Sequence, residues 1–122
     1  MTYEEIKKNE EVLAYLKKGN DVLGVMGYTD HSVIHCSLVA ERAAYILKNL
    51  GYSAKEAELA KIAGFMHDIG NAVNRTHHAE YGALLANDIL KQSDLSVEDR
   101  ILIVSATVSY THLRAHETLS DL

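Results

Sequence analysis

His67 and Asp68 stand side by side in the stretch Phe65-Met66-His67-Asp68-Ile69-Gly70-Asn71. An imidazole nitrogen and a carboxylate oxygen are both donors for divalent first-row metal ions. The doublet follows an apolar run from Leu59 to Met66, and a glycine comes two residues after it. A helix that is apolar up to its last turn carries the polar groups at its end into the interior. A buried carboxylate without partners is costly, so Asp68 requires a cation, a metal ion or a set of donors. A capping aspartate beside a half-buried histidine is the plainer explanation, and the heptapeptide alone does not choose between them.

Two more histidines can join the doublet once helices are assigned. His35 falls on the same helical stripe as Val39, Ala43 and Ile46, the side expected to face the core. His78 stands at the start of a later helical run. Three imidazoles and one carboxylate, His35, His67, Asp68 and His78, can then converge. Each has a bland alternative. His35 can be a core histidine satisfied by a backbone carbonyl, and His78 a solvent-facing residue in a first turn. His31, four residues before His35, can share its face as a substrate contact or simply bond locally at a helix start.

The elements that must position these groups are all helical. Thr2 to Glu5 fits a capping box, in which a threonine hydroxyl and a glutamate carboxylate satisfy each other's free amides. Ile6, Val12, Leu13 and Leu16 mark the apolar stripe of a first helix, closed by Lys17-Lys18-Gly19. Asp21 to Met26 reads as a short helical connector that stops near Gly27. Asp30 can cap a second helix from His31 to about Leu50, with Ile34, Leu38, Val39, Ala43, Ile46, Leu47 and Leu50 as its apolar set and Gly51 as its stop. Ser53 to Glu56 is a second capping box and starts a third helix ending at His67 or Asp68. Asn71 to Thr76 reads as a loop. His77-His78 opens a fourth helix through Leu90, with Ala79, Leu84, Leu85, Ile89 and Leu90 as core candidates, and Ser96 to Asp99 starts a fifth. No alternating strand pattern, internal repeat or low-complexity linker interrupts the series.

Composition bounds the class. A chain of 122 residues predicts one small domain. Proline is absent, and the hydrophobic share of 48% and charged share of 24% are those of a soluble globular protein. A net charge of −5 argues against a partner such as a nucleic-acid duplex, which selects a basic face. A single cysteine, Cys36, excludes an internal disulfide framework and fits a reducing compartment. No run reaches the roughly 20 apolar residues that span a bilayer, and the acidic start Met-Thr-Tyr-Glu-Glu is not a secretory signal. These features together suggest a cytoplasmic, bacterial-type protein with no membrane partner.

Three segments in order resemble the HD-domain metal-dependent phosphohydrolase superfamily. His35-Cys36-Ser37-Leu38-Val39-Ala40 is similar to the first-histidine helix of that family. Met66-His67-Asp68-Ile69-Gly70 is similar to the doublet that names it. His78-Ala79-Glu80-Tyr81-Gly82-Ala83 is similar to the His-x-Glu-x-Gly-Ala helix start of its two-metal branches. The resemblance spans roughly Thr29 to Ala106. It implies an all-α helical bundle of about five helices with a metal site at its centre. His35, His67 and Asp68 would be ligands of a first ion, and His78 would serve a second ion bridged by Asp68. The implied cofactor is one or two divalent ions drawn from Mn, Fe, Mg, Co, Ni or Zn. The implied reaction is phosphoester hydrolysis of a nucleotide or other small phosphorylated molecule, with the catalytic Asp68 at its centre and a metal-activated water as nucleophile. Many members carry lysine after His-Asp-Ile-Gly; here that position is Asn71, and Arg75 is a candidate to replace the missing phosphate-binding cation.

A second departure concerns the tail. The later histidine and aspartate ligands usual in the family cannot be placed. Thr107 to Thr118 instead resembles a one-frame translation of a transposon-type sequencing-library adapter. The sequence therefore suggests a C-terminally truncated HD domain over residues 1–106 and a non-native tail over 107–122. On that expectation, His112 and His116 are set aside as ligands despite their spacing of four. The 122-residue chain itself is expected to be inactive and open to self-association through surface left exposed. The alternative to an enzyme is a non-catalytic HD-type domain that binds a nucleotide or a partner protein, and a plain helical bundle without a site is a third reading. Convergence of His35, His67 and Asp68 separates the first two from the third.

Overall fold

The computed structural model describes the backbone of residues 1–22 and 31–120, and the side chains of residues 1–21 and 32–109. Six α-helices and one 3-10 turn account for nearly all of it: α1 Tyr3–Lys7, α2 Glu10–Val22, α3 His31–Asn49, α4 Ala54–Met66, the turn Ile69–Ala72, α5 His78–Leu90 and α6 Val97–Ser120. No strand occurs among the described residues. The described residues form an all-α bundle, with six helices where the sequence suggested about five. None of the helices searched is long and apolar enough to cross a membrane.

The extra helix comes from a break in the first one. The Thr2–Glu5 capping box forms, but α1 stops at Lys7 and Asn9 starts a new helix. The Asn9 side chain accepts the Val12 amide at 3.0 Å, the bond of an N-cap residue. The new helix then runs through Gly19 to Val22 rather than closing there. The connector expected up to Met26, the stop at Gly27 and the cap at Asp30 lie outside the described residues.

α4 is the axis of the bundle. Its second half, Ile62 to Met66, and the following His67 are buried consecutively, so this helix is enclosed on every side. α3 packs along it, α6 and α1 cover other faces, and α5 pairs with α6 and with the 3-10 turn. Tyr3 from α1 meets Phe65 edge to face with ring centroids 5.9 Å apart. The core continues through Ile6, Val12 and Leu16 to Met66, Ile69, Ile89, Leu90 and Ile103.

The apolar stripe expected on α3 is only partly inside. Val39 and Ala43 are buried, with Cys36, Ala40 and Ala44, whereas Ile34, Leu38, Ile46 and Leu50 are exposed. Leu84 on α5 and Leu102 on α6 also face outward; Ile103 takes the core position. Small residues decide the α3 orientation. A methyl group placed on Gly64 of α4 would lie 3.0 Å from the Ala40 Cα, so the two helices cross nearly backbone to backbone. Larger side chains could not occupy that crossing, and they turn to the outer face.

Candidate metal centre

The α3–α4 crossing sets the first half of the site. His35 lies five residues before Ala40 and His67 three residues after Gly64, so both leave the crossing at the same end. Their rings stand 5.5 Å apart between centroids. His67 continues the helical backbone as the residue just past α4, while Asp68 departs from it and precedes the 3-10 turn. The doublet thus points back across the end of α4 towards α3.

The 3-10 turn and α5 set the second half. A methyl group on Gly70 would overlap the carbonyl oxygen of His78 and come within 2.5 Å of the Gly82 amide nitrogen. Two glycines, one on each side, permit this approach and bring the first residue of α5 over the doublet. His77, just before α5, adopts a left-handed conformation with φ of 61°.

Three imidazoles surround one carboxylate. His35 Nε2 lies 3.4 Å and His67 Nε2 3.3 Å from Asp68 Oδ2, while His78 Nε2 lies 3.8 Å from Oδ1. The carboxylate divides its two oxygens between the two sides of the site. Donor atoms of His35, His67 and Asp68 all fall within 4.8 Å of one another. Two ligands each about 2.1 Å from a shared ion stand about 3.0–3.4 Å apart in octahedral or tetrahedral geometry, which the histidine–carboxylate separations match.

Backbone carbonyls fix the histidine tautomers. His67 Nδ1 is 2.6 Å from the Gly64 carbonyl oxygen, and His78 Nδ1 is 3.0 Å from that of Arg75. A carbonyl only accepts, so each Nδ1 carries the proton and Nε2 is the ring nitrogen turned towards Asp68. This is the outer arrangement that orients metal-ligating histidines. Burial pushes the Asp68 carboxyl up, but the hydrogen bonds and charge of His35 and His67 outweigh it and hold the group well below the usual carboxylate range. Burial and the nearby Arg75 guanidinium push the His78 imidazole down, favouring its neutral, ligating form.

The structure therefore brings together His35, His67, Asp68 and His78, and the donor set suits a divalent ion. His31 starts α3, but its side chain is outside the described residues, as are those of His112 and His116. Asn71 is buried, and its side-chain oxygen accepts a hydrogen bond from Arg75 Nη1 at 3.2 Å. Sequence reasoning missed the Gly64–Ala40 crossing and the carbonyls of Gly64 and Arg75. Small residues spaced along two helices were the available signal for the crossing, whereas the carbonyl roles have no side-chain signature.

Residues 33–119 match the HD domain family. The chain belongs to that family. HD domains lie within the metal-dependent phosphohydrolase superfamily and bind divalent ions, and the His-His-Asp cluster described above is compatible with such binding. Over 106 residues the chain is 34% identical to an uncharacterized protein of Methanocaldococcus jannaschii, covering 75% of this chain. The chain spans 41% of the length of that relative. No solved structure gives a significant match.

Proposed function

We propose that this HD domain, in a protein with a native C-terminus, hydrolyses a phosphomonoester or phosphodiester of a nucleotide or another small phosphorylated molecule. The observation that carries the reading is the division of one carboxylate between three imidazoles. His35, His67 and Asp68 Oδ2 would hold one divalent ion, with Asp68 Oδ1 and His78 available to a second. An ion held there supplies Lewis acidity to phosphoryl oxygens and lowers the pKa of a bound water.

The chain's own residues contribute the rest. The Gly64 and Arg75 carbonyls keep the Nε2 atoms of His67 and His78 aimed inward. Burial of His67 keeps one wall of the site dry, which strengthens interactions with an anionic substrate. Arg75 is exposed and near enough to His78 to act on its charge, which supports a role for its guanidinium in meeting a substrate phosphate. A substrate-contact role for His31 belongs to the same proposal.

The second reading, a non-catalytic nucleotide- or protein-binding domain, is favoured by one observation. Asn71, in the position where the family resemblance implies lysine, is buried and offers no cation. Metal-dependent turnover decides between the two. A panel of phosphomonoesters and phosphodiesters is assayed with Mn²⁺ or Fe²⁺, using the 122-residue chain and a version carrying the C-terminal segment of a close relative. Turnover by the extended protein that Asp68→Ala abolishes supports the enzyme. Ligand binding without turnover by the extended protein supports the binding domain. We further propose that residues 107–122 are a non-native replacement for the family's later ligands, which leaves the 122-residue chain inactive.

A further inference from the structure

Asn71 reaches the metal centre through two covalent steps and two hydrogen bonds. It sits in the 3-10 turn, buried at 4% exposure, with its Cβ close against Gly19 of α2. It is thus anchored in the core rather than in the loop that follows. Its Oδ1 accepts from Arg75 Nη1 at 3.2 Å. The Arg75 carbonyl oxygen in turn accepts twice from His78, from the backbone amide at 3.3 Å and from Nδ1–H at 3.0 Å. His78 Nε2 then faces Asp68 Oδ1. The segment that Arg75 belongs to is otherwise exposed from Val73 to His77 and ends in the left-handed His77. The Thr76 amide donates to Asn74 Oδ1 within the loop, and the Val73 and Asn74 amides donate to the Gly70 carbonyl at 3.0 and 3.3 Å, which ties only the start of the loop to the 3-10 turn.

We infer that Asn71 is a positioning residue: by holding the Arg75 guanidinium it fixes the Arg75 carbonyl, and that carbonyl sets the ring orientation and tautomer of His78 on the second-ion side of the site. The consequence is that one residue, Arg75, links the buried Asn71 to a candidate ligand. Its carbonyl orients a candidate ligand, and its guanidinium is close enough to His78 to act on that ring's charge.

The inference rests on the proposed two-ion reading, and its test has a readout that does not need an ion. Long-range proton–nitrogen NMR on the full 122-residue chain in chelator, above pH 7.5, reports the His78 tautomer. Mn²⁺ titration of the same proteins reports the affinities of the first and second ions. Asn71→Ala is expected to lose the single Nδ1–H tautomer of His78 while leaving that of His67 unchanged. It is also expected to weaken the second ion about tenfold or more and the first ion little, the scale typical of losing an outer-shell partner. Asn71→Asp keeps an acceptor and should restore the tautomer. Arg75→Ala, on an exposed side chain, removes the same bond if Asn71→Ala does not fold, and the double variant should be no worse than either single one. A wild-type His78 spectrum in both Asn71→Ala and Arg75→Ala overturns the inference whatever the ions do. Equal weakening of both ions in these variants also overturns it, because that is the signature of a residue that only packs. If wild-type protein binds no ion while the tautomer still depends on Asn71, the positioning role stands and the two-ion reading fails.

Discussion

Gly70 and Gly82 touch where the turn after the His-Asp doublet meets α5. An added methyl on Gly82 would lie 3.3 Å from the Gly70 amide nitrogen, and one on Gly70 would run into the first turn of α5. This contact carries His78 to Asp68. Gly70→Ala is therefore expected to destabilise the fold by about 1–3 kcal/mol or more, the range for overpacking a tight site. It should also separate His78 from Asp68 while leaving the His35–His67 pair, which depends on the Gly64 crossing, in place. Chemical denaturation measures the first effect. Unchanged stability would show that α5 can slide away at no cost.

His35 and His31 sit one turn apart on α3; His35 Nε2 lies 3.4 Å from Asp68 Oδ2, and the His31 side chain lies outside the described residues. In an active relative, the histidine equivalent to His35 changed to alanine should abolish most activity. The change equivalent to His31→Ala should cost far less. Equal losses in kcat/KM would mean that the histidine at helix start contributes as much as the one in the cluster.

The His78 imidazole is pushed below its ordinary value of 6.5 by burial and by Arg75. The unfolded chain therefore binds the proton at higher pH than the folded one. The contribution to stability is fully present above about 6.5 and is lost as pH falls through that value towards the lower folded pKa. In chelator, wild type should lose more thermal stability between pH 7.5 and 5 than His78→Gln does. Identical slopes for the two proteins would contradict the shift.

Leu38, Ile46, Leu84 and Leu102 are exposed at 51%, 54%, 66% and 58%. Leu102 also borders a largely apolar recess of about 240 Å³, lined with Leu47, Tyr52 and Leu59 between α3, α4 and α6. Exposed apolar surface of this kind promotes association. Sedimentation velocity is expected to show concentration-dependent self-association that Leu102→Lys reduces. A monomer at every concentration would remove that expectation.

Much of this was legible in the sequence because it depends on local chemistry. The capping boxes at Thr2 and Ser53, the start of α5 at His78 and the stop at Gly51 follow from residue types and spacing, and each is present. The helix start at Asn9 was legible too, as an asparagine before two glutamates, but the apolar stripe running past it obscured the break. The outward turn of Leu38 and Ile46 was not legible. Hydrophobicity ranks leucine above alanine for burial, whereas close helix crossing at Gly64 selects the smaller residue. The cluster itself was readable as a set of residue types. Its geometry, with Oδ2 facing two histidines and Oδ1 a third, depends on two glycine contacts between elements distant in sequence.

The convergence of His35, His67 and Asp68 on one divalent ion is the central claim, and titration calorimetry with Mn²⁺ tests it most directly. The 122-residue chain should bind Mn²⁺ and should lose that binding with Asp68→Ala, with its helical circular dichroism and cooperative unfolding retained. Binding by Asp68→Ala at the affinity of the parent would show that Asp68 is not a ligand and contradict this account of the site.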